Sequence, residues 1–386
     1  MSRALSKRSA RPDTWCVQAV QSPATDRSVL EASYASRDLQ PVEGPGVWYA
    51  DDYRNSTTWI HQFSAEEIAE LETAIHAAQT NGKETQELTS ADFKLPLLEP
   101  QLLQWRDEVV HGRGFYLLKG LPVDAWTVEQ TVLSYWIMGT FLGKAVSQNA
   151  KRHLVGHVKD INLPGGHYDP INRVYATRGA QPYHSDPSDL VGLLCLKQAK
   201  TGGISSWASS LTVYNEMLKS HPQLAQVMAQ PFYFDRKNEV PEGKLPYFAM
   251  PIFNNYQERL AVFYENGFIQ SAQRHPEVPR LTEEQLQAIE VFDGLASSDA
   301  LRMDYVLQPG DVQLLHNHQI IHTRSEYVDF EEPEKRRHLL RLWVSPENDW
   351  PLPEVFLERF AGSIEPGNRG GILVPGYEAK VPLEAE

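Results

Sequence analysis

From about residue 174 to residue 344 the chain breaks into short apolar runs separated by Gly, Pro and Asn turns. The runs at 190–196, 232–235, 247–253, 260–264, 305–307, 312–315 and 339–344 have strand length and strand composition. Helical periodicity interrupts them at 211–229 and again at 282–295, where Thr282 and Gln285 form a capping box. Strands and helices do not alternate as βαβ units would. The pattern therefore predicts a mainly β fold of the α+β class. Its core would be an antiparallel double sheet of jelly-roll type, a cupin-like double-stranded β-helix, with helices packed outside.

Ahead of this region, Ser64-Ala65-Glu66-Glu67 is a capping-box signature opening a helix to about residue 80, with Ile68, Leu71 and Ile75 on one face. A second helix is predicted near 101–110, a strand over 115–118 and an apolar helix over 124–142. Residues 1–40 lack periodicity and are rich in Ser, Arg and Ala, so they read as a tail, leaving 41–386 as one domain. The first dozen residues carry Arg3, Lys7, Arg8 and Arg11 and no acid. That composition resembles a mitochondrial presequence; the plainer reading is an unstructured basic tail on a cytoplasmic protein.

Composition narrows the function. A net charge of −14 argues against a broad nucleic-acid surface. Cys16 and Cys195 alone make neither a disulfide framework nor a cysteine metal site, which fits a reducing compartment. No run of about 18 apolar residues spans a membrane. The expected partner is a small molecule, and a homo-oligomer is compatible with the sequence.

Chemistry gathers at three places. Tyr183-His184-Ser185-Asp186 contains a His-x-Asp pair, whose side chains share one side of an extended segment. His316, His318 and His322 follow far downstream, and on an unbroken strand all three would point the same way. Arg337 and Arg341 come next, with Arg341 set between Leu339-Leu340 and Leu342-Trp343. A guanidinium there is costly inside unless it meets an anion. Two imidazoles and a carboxylate on one face of a metal leave its other positions open, as in non-haem Fe(II) oxygenases. His153 and His157 lack the Glu of a zinc-protease motif. The acidic stretch from Glu326 to Glu334 reads as a solvated loop, with a gating lid as the sharper alternative.

The combined pattern resembles the taurine dioxygenase (TauD/TfdA) and clavaminate synthase-like family of Fe(II)/2-oxoglutarate dioxygenases. The resemblance implies that His184, Asp186 and His322 hold Fe(II), with 2-oxoglutarate and O2 as co-substrates. Gly202 to Trp207 is similar to the family's Gly-Gly-x-Thr-x-Trp motif, with Ser205 in the threonine's place. By that likeness Ser205 and Arg337 hold the distal carboxylate of 2-oxoglutarate. Arg341 lies near co-substrate or substrate anions, and which arginine clamps the co-substrate stays open. Asn317 matches an Asn common in the family. Tyr175, Thr177, Tyr183 and Arg341 would line the substrate pocket. The implied reaction is hydroxylation, desaturation or cyclisation of a small, anionic molecule such as an amino acid or carboxylate. Asp186 argues against halogenation, because related halogenases lack that carboxylate. Two other readings compete: a non-catalytic jelly roll binding a carboxylate or a partner protein, and a zinc hydrolase on the same three ligands.

Overall fold

The computed structural model describes residues 39–360 and 362–386. The predicted presequence and residues 1–38 of the predicted tail lie outside the described residues, whereas Leu39 is buried in the core and so belongs to the folded body. Eleven strands form two facing sheets: β1 (Ile60–Gln62), β2 (Phe115–Lys119), β3 (Lys144–Ala145), β4 (Val155–Val158), β5 (Gln181–His184), β6 (Leu190–Lys197), β7 (Ser205–Ser209), β8 (Met303–Tyr305), β9 (Val312–His316), β10 (Ile320–Arg324) and β11 (His338–Ser345). The larger sheet runs β1-β2-β9-β6-β11-β3, with β4 also on β11, and the smaller runs β8-β7-β10-β5. Flanking helices complete the jelly-roll architecture. Its pairs are antiparallel, as expected, except that β1 lies parallel to β2.

Besides the short helix Ala50–Arg54, the helices are α1 (Ala65–Thr80), α2 (Leu98–His111), α3 (Val128–Leu142), α4 (Ser210–Ser220), α5 (Pro222–Met228), α6 (Asn266–Ala272) and α7 (Glu283–Ala296). Ser64 and Thr282 cap α1 and α7 as read from sequence. Three boundaries differ for local reasons. Thr127 and Gln130 build a capping box, so α3 starts at Val128 instead of Asp124. His221-Pro222 splits the predicted 211–229 helix, because proline removes an amide donor and suits a new first turn. The 247–253 run divides into Tyr247–Pro251 and Phe253–Tyr256, which pair with Pro231–Asp235 and Arg259–Val262 as hairpins outside the two main sheets. No helix among the described residues is long and apolar enough to cross a membrane.

Period-two alternation along β11 decides where the chemistry sits. Leu340, Leu342 and Val344 join the core under α1, α2 and α3, with Leu71, Leu102 and Ile137. Leu339 and Trp343 pack on the other side, with Trp207 and Phe115. Arg341 shares that inner face, so the sheet carries a guanidinium between its layers.

Candidate active site

Strand register brings the two distant histidines together. β10 pairs antiparallel with β5, and His322 falls directly opposite His184, with ring centroids 4.1 Å apart. Asp186 lies past the end of β5, not on an extended strand as the sequence suggested. Its place is fixed by the backbone: the Ser185 amide donates to the Tyr264 carbonyl at 2.7 Å, and the Asp186 amide donates to Asn317 Oδ1 at 2.9 Å. Asn317 also donates to Ser188 Oγ at 3.1 Å. One ligand atom from each of His184, Asp186 and His322 lies within 4.8 Å of the others, and all three residues are buried. His184 Nε2 is 3.9 Å and His322 Nε2 is 3.7 Å from the two Asp186 oxygens.

The protonation states suit a divalent metal. Burial pushes both imidazoles below their ordinary value, His322 to about 3. Burial alone would raise Asp186, but Arg341 and the two imidazoles hold it at about 2. His184 Nδ1 donates to the Pro182 carbonyl at 3.0 Å, which leaves the Nε2 lone pair toward the carboxylate. Asp186 Oδ2 is buried with no hydrogen-bond partner. Two neutral nitrogens and an unsatisfied carboxylate oxygen around one point fit Fe(II). The Gln181 amide, 3.1 Å from His184 Nε2, also reaches this point and gave no signal in the sequence.

His316 and His318 lie outside this cluster, in a second group with Asp349 whose ligand atoms are within 4.8 Å of one another. The chain turns after β9, so they leave the β10 face. They are buried rather than exposed. His316 contacts Asp349 at 3.0 Å and His318 contacts Asp189 at 2.8 Å. Arg369 pairs with Asp189 at 2.8 Å, placing a cation among these groups, which opposes a second metal.

Beside His184, Asp186 and His322, a small cavity of about 40 Å³ is lined by Ser205, Arg324, Arg337 and Arg341, among others. Arg337 is 5% exposed; its Nη1 has no partner, and burial pushes it down. Arg341 is committed: Nη1 is 3.4 Å from Asp186 Oδ1, Nε donates to Gln148 at 2.8 Å, and the plane lies over Trp343. Arg324, which sequence reasoning missed, faces the same cavity, and burial pushes it to about 10. It follows His322 by two residues on β10, so strand alternation could have flagged it. Ser205 Oγ donates to Gln313 at 2.8 Å. Asp329, in the stretch read as a solvated loop, accepts the Arg337 amide at 2.7 Å and so helps fix the arginine.

The substrate-side expectations divide. Tyr175 lines the small cavity and lies 4.7 Å under Arg341. Thr177 and Tyr183 line neither cavity. Thr177 Oγ1 turns back on the Val174 carbonyl, and the Tyr183 hydroxyl donates to the Ala296 carbonyl in the hydrophobic core. A strand's alternate residues face opposite ways, so Tyr183 points away from its neighbour His184.

Two variants probe this scaffold. Gly202, at φ +77°, meets the Glu326 carbonyl oxygen at 2.3 Å where a Cβ would sit. Gly202→Ala should lower stability by at least about 1–2 kcal/mol from the backbone conformation alone, read by urea unfolding. Asn317→Ala leaves the buried Asp186 amide unpaired and frees the carboxylate. It should weaken metal binding by about 10–100-fold, measured by equilibrium dialysis with Fe(II) under argon.

A buried His/Asp/His set between jelly-roll sheets, next to an arginine-lined cavity, has the donor chemistry of a mononuclear non-haem iron enzyme. Residues 78–343 match the taurine catabolism dioxygenase TauD, TfdA family. The chain belongs to that family and is an Fe(II)- and 2-oxoglutarate-dependent dioxygenase. It is 30% identical over 322 residues to FR-33289 synthase of Streptomyces rubellomurinus, covering 81% of this chain and 93% of that protein. A taurine hydroxylase-like protein of Stachybotrys chartarum is 26% identical over 84% of this chain and 85% of its own length. In fold it is similar to an asparagine oxygenase solved with Fe(II), 3-hydroxyasparagine and succinate. The TM-score is 0.55 and the identity 16%, over 74% of this chain and 93% of the other.

Proposed function

We propose that the protein oxidises a C–H bond of a small anionic molecule, in the class of amino acids and carboxylates, with His184, Asp186 and His322 as the iron ligands. The observation that carries this reading is the convergence of their three ligand atoms within 4.8 Å, at a point bordering both cavities. Bound there, Fe(II) with 2-oxoglutarate and O2 supplies oxidation of the substrate, with release of succinate and CO2. The protein's own residues bind and orient. Arg337 holds the distal carboxylate of 2-oxoglutarate, with Arg324 alongside and Ser205 joining once its hydroxyl turns from Gln313. Arg341 holds Asp186 in its ionised form, and Asn317 fixes its backbone. The larger cavity, about 370 Å³, receives the substrate against His184, Asp186 and Gln181. The relatives support the substrate class: one is described as taurine hydroxylase-like and a structural neighbour carries a hydroxylated amino acid.

The test is succinate formation from 2-oxoglutarate with ferrous iron, with and without a panel of amino acids, sulfonates and small carboxylates. Stimulated succinate release with a matching oxidised product is expected. A protein that binds no 2-oxoglutarate and forms no succinate would end the reading.

A further inference from the structure

The larger cavity holds a cation with no ion-pair partner among the described residues. Of its other charged walls, Asp169 accepts the Ile171 amide and the rest face opposite charges. Arg173 forms an ion pair with Glu239, and Asp186 is held by Arg341 at 3.4 Å. Lys237 faces the buried carboxyl of Glu265 electrostatically and donates to the Pro170 carbonyl at 2.5 Å. Arg359 remains. It lines the cavity at only 7% exposure, and its Nε is buried without a hydrogen-bond partner. Phe248 and Phe263 flank it, with its guanidinium carbon 5.6 and 5.5 Å from their ring centroids. Among the described residues no carboxylate lies within ion-pair distance of it.

A desolvated guanidinium without an anion is destabilising unless a ligand supplies one. Burial pushes Arg359 down to about 9, and neighbouring Arg236 and Arg173 add to this against the weaker pull of the more distant Glu239 and Asp186 carboxylates. Arg341, the residue from which an anionic substrate was first expected, cannot meet the same need, because Asp186 and Gln148 already occupy it.

We propose that Arg359 is the substrate's anion receptor, binding an oxyanion head group (carboxylate, sulfonate or phosphonate) across the cavity from His184 and Asp186. The proposal deepens the functional reading above and rests on it. The planar fork suits two oxygens of such a head group, and the aromatic flanks keep it rigid. The substrate's oxidised carbon then lies between the head group and the metal ligands.

The test titrates acetate, methanesulfonate and methylphosphonate into the protein loaded anaerobically with Fe(II) and 2-oxoglutarate, by calorimetry, with methylammonium as the cationic control. At least one oxyanion should bind saturably to the wild type, and methylammonium should not. Arg359→Gln should weaken that binding by about 30-fold or more. Arg359→Lys, which keeps the charge but loses the fork, should fall between. Lys219→Gln removes an exposed charge far from the cavity and should bind like the wild type. Should the Gln variant fail to fold, the Lys variant decides by its weakening. Unchanged binding in the Arg359 variants, or no saturable oxyanion binding to the wild type, overturns the proposal. Loss of the iron and 2-oxoglutarate reading shows separately, as absence of the charge-transfer absorption before any oxyanion is added, and the same titration on the unloaded protein still judges Arg359.

Discussion

Asp186→Ala is expected to cost both the metal and part of the fold, whereas His322→Ala is expected to cost only the metal. Each variant removes one of the three proposed ligands. Iron affinity should therefore fall by more than the roughly 100-fold upper range of an outer-shell change, and turnover should fall with it. Stability separates the two. Asp186 carries the only negative charge in contact with the buried Arg341 guanidinium among the described residues. Removing one partner of such a pair leaves an uncompensated charge and costs about 3–5 kcal/mol. His322 is a neutral ring with Nδ1 unpartnered, so its loss leaves no unpaired charge. Urea unfolding of the metal-free variants reads the difference. Equal stability of the two would show that Arg341 does not depend on Asp186. His322 sets part of the pH dependence of the metal-free wild type, and His338, depressed likewise to about 3, adds to it in the same direction. The folded pKa of His322 is depressed to about 3, so between pH 6.5 and 3 the unfolded chain binds the extra proton. Stability should accordingly decline as pH falls through that window and be complete above it.

The sequence singled out the three residues that the fold brings together because their chemistry is rare inside a β core: a His-x-Asp pair and a distant His near a strand-borne arginine. It also located the α1 and α7 caps, which are local and need no tertiary knowledge. What it left ambiguous depended on chain direction between strands. Whether His316, His318 or His322 completes the site turns on where β9 ends, and a turn at 317–319 sends the first two into a buried network with Asp349, Asp189 and Arg369. Asp349 and Arg369 come from the C-terminal segment, so no local pattern could foretell the pairing. Tyr183 was assigned to the pocket from proximity along the chain, but alternation on β5 turns it to the core. Arg324 and Arg359 went unnoticed for a similar reason. An arginine reads as a surface residue until the fold shows it is buried.

The arginine choice that the sequence left open becomes a sharp expectation: Arg337→Met should weaken 2-oxoglutarate, and Arg341→Met should weaken iron. Arg337 has a free Nη1 facing the small cavity, lies 5.0 Å from the Tyr327 ring, and has its backbone pinned by Asp329. Arg324 lies 4.9 Å from the same ring and lines the same cavity, so two cations border the space where a distal carboxylate would lie. Losing one partner of a buried charge pair costs about 2–5 kcal/mol, or roughly 30- to several thousand-fold in the 2-oxoglutarate dissociation constant. Ser205→Ala removes a neutral donor already engaged with Gln313 and should cost about tenfold at most. Arg341 instead touches Asp186, so its loss should raise the iron dissociation constant first and affect 2-oxoglutarate only through the metal. Titrating 2-oxoglutarate at saturating iron, then iron at saturating 2-oxoglutarate, separates the two arginines. A larger 2-oxoglutarate defect in Arg341→Met than in Arg337→Met would reverse the assignment.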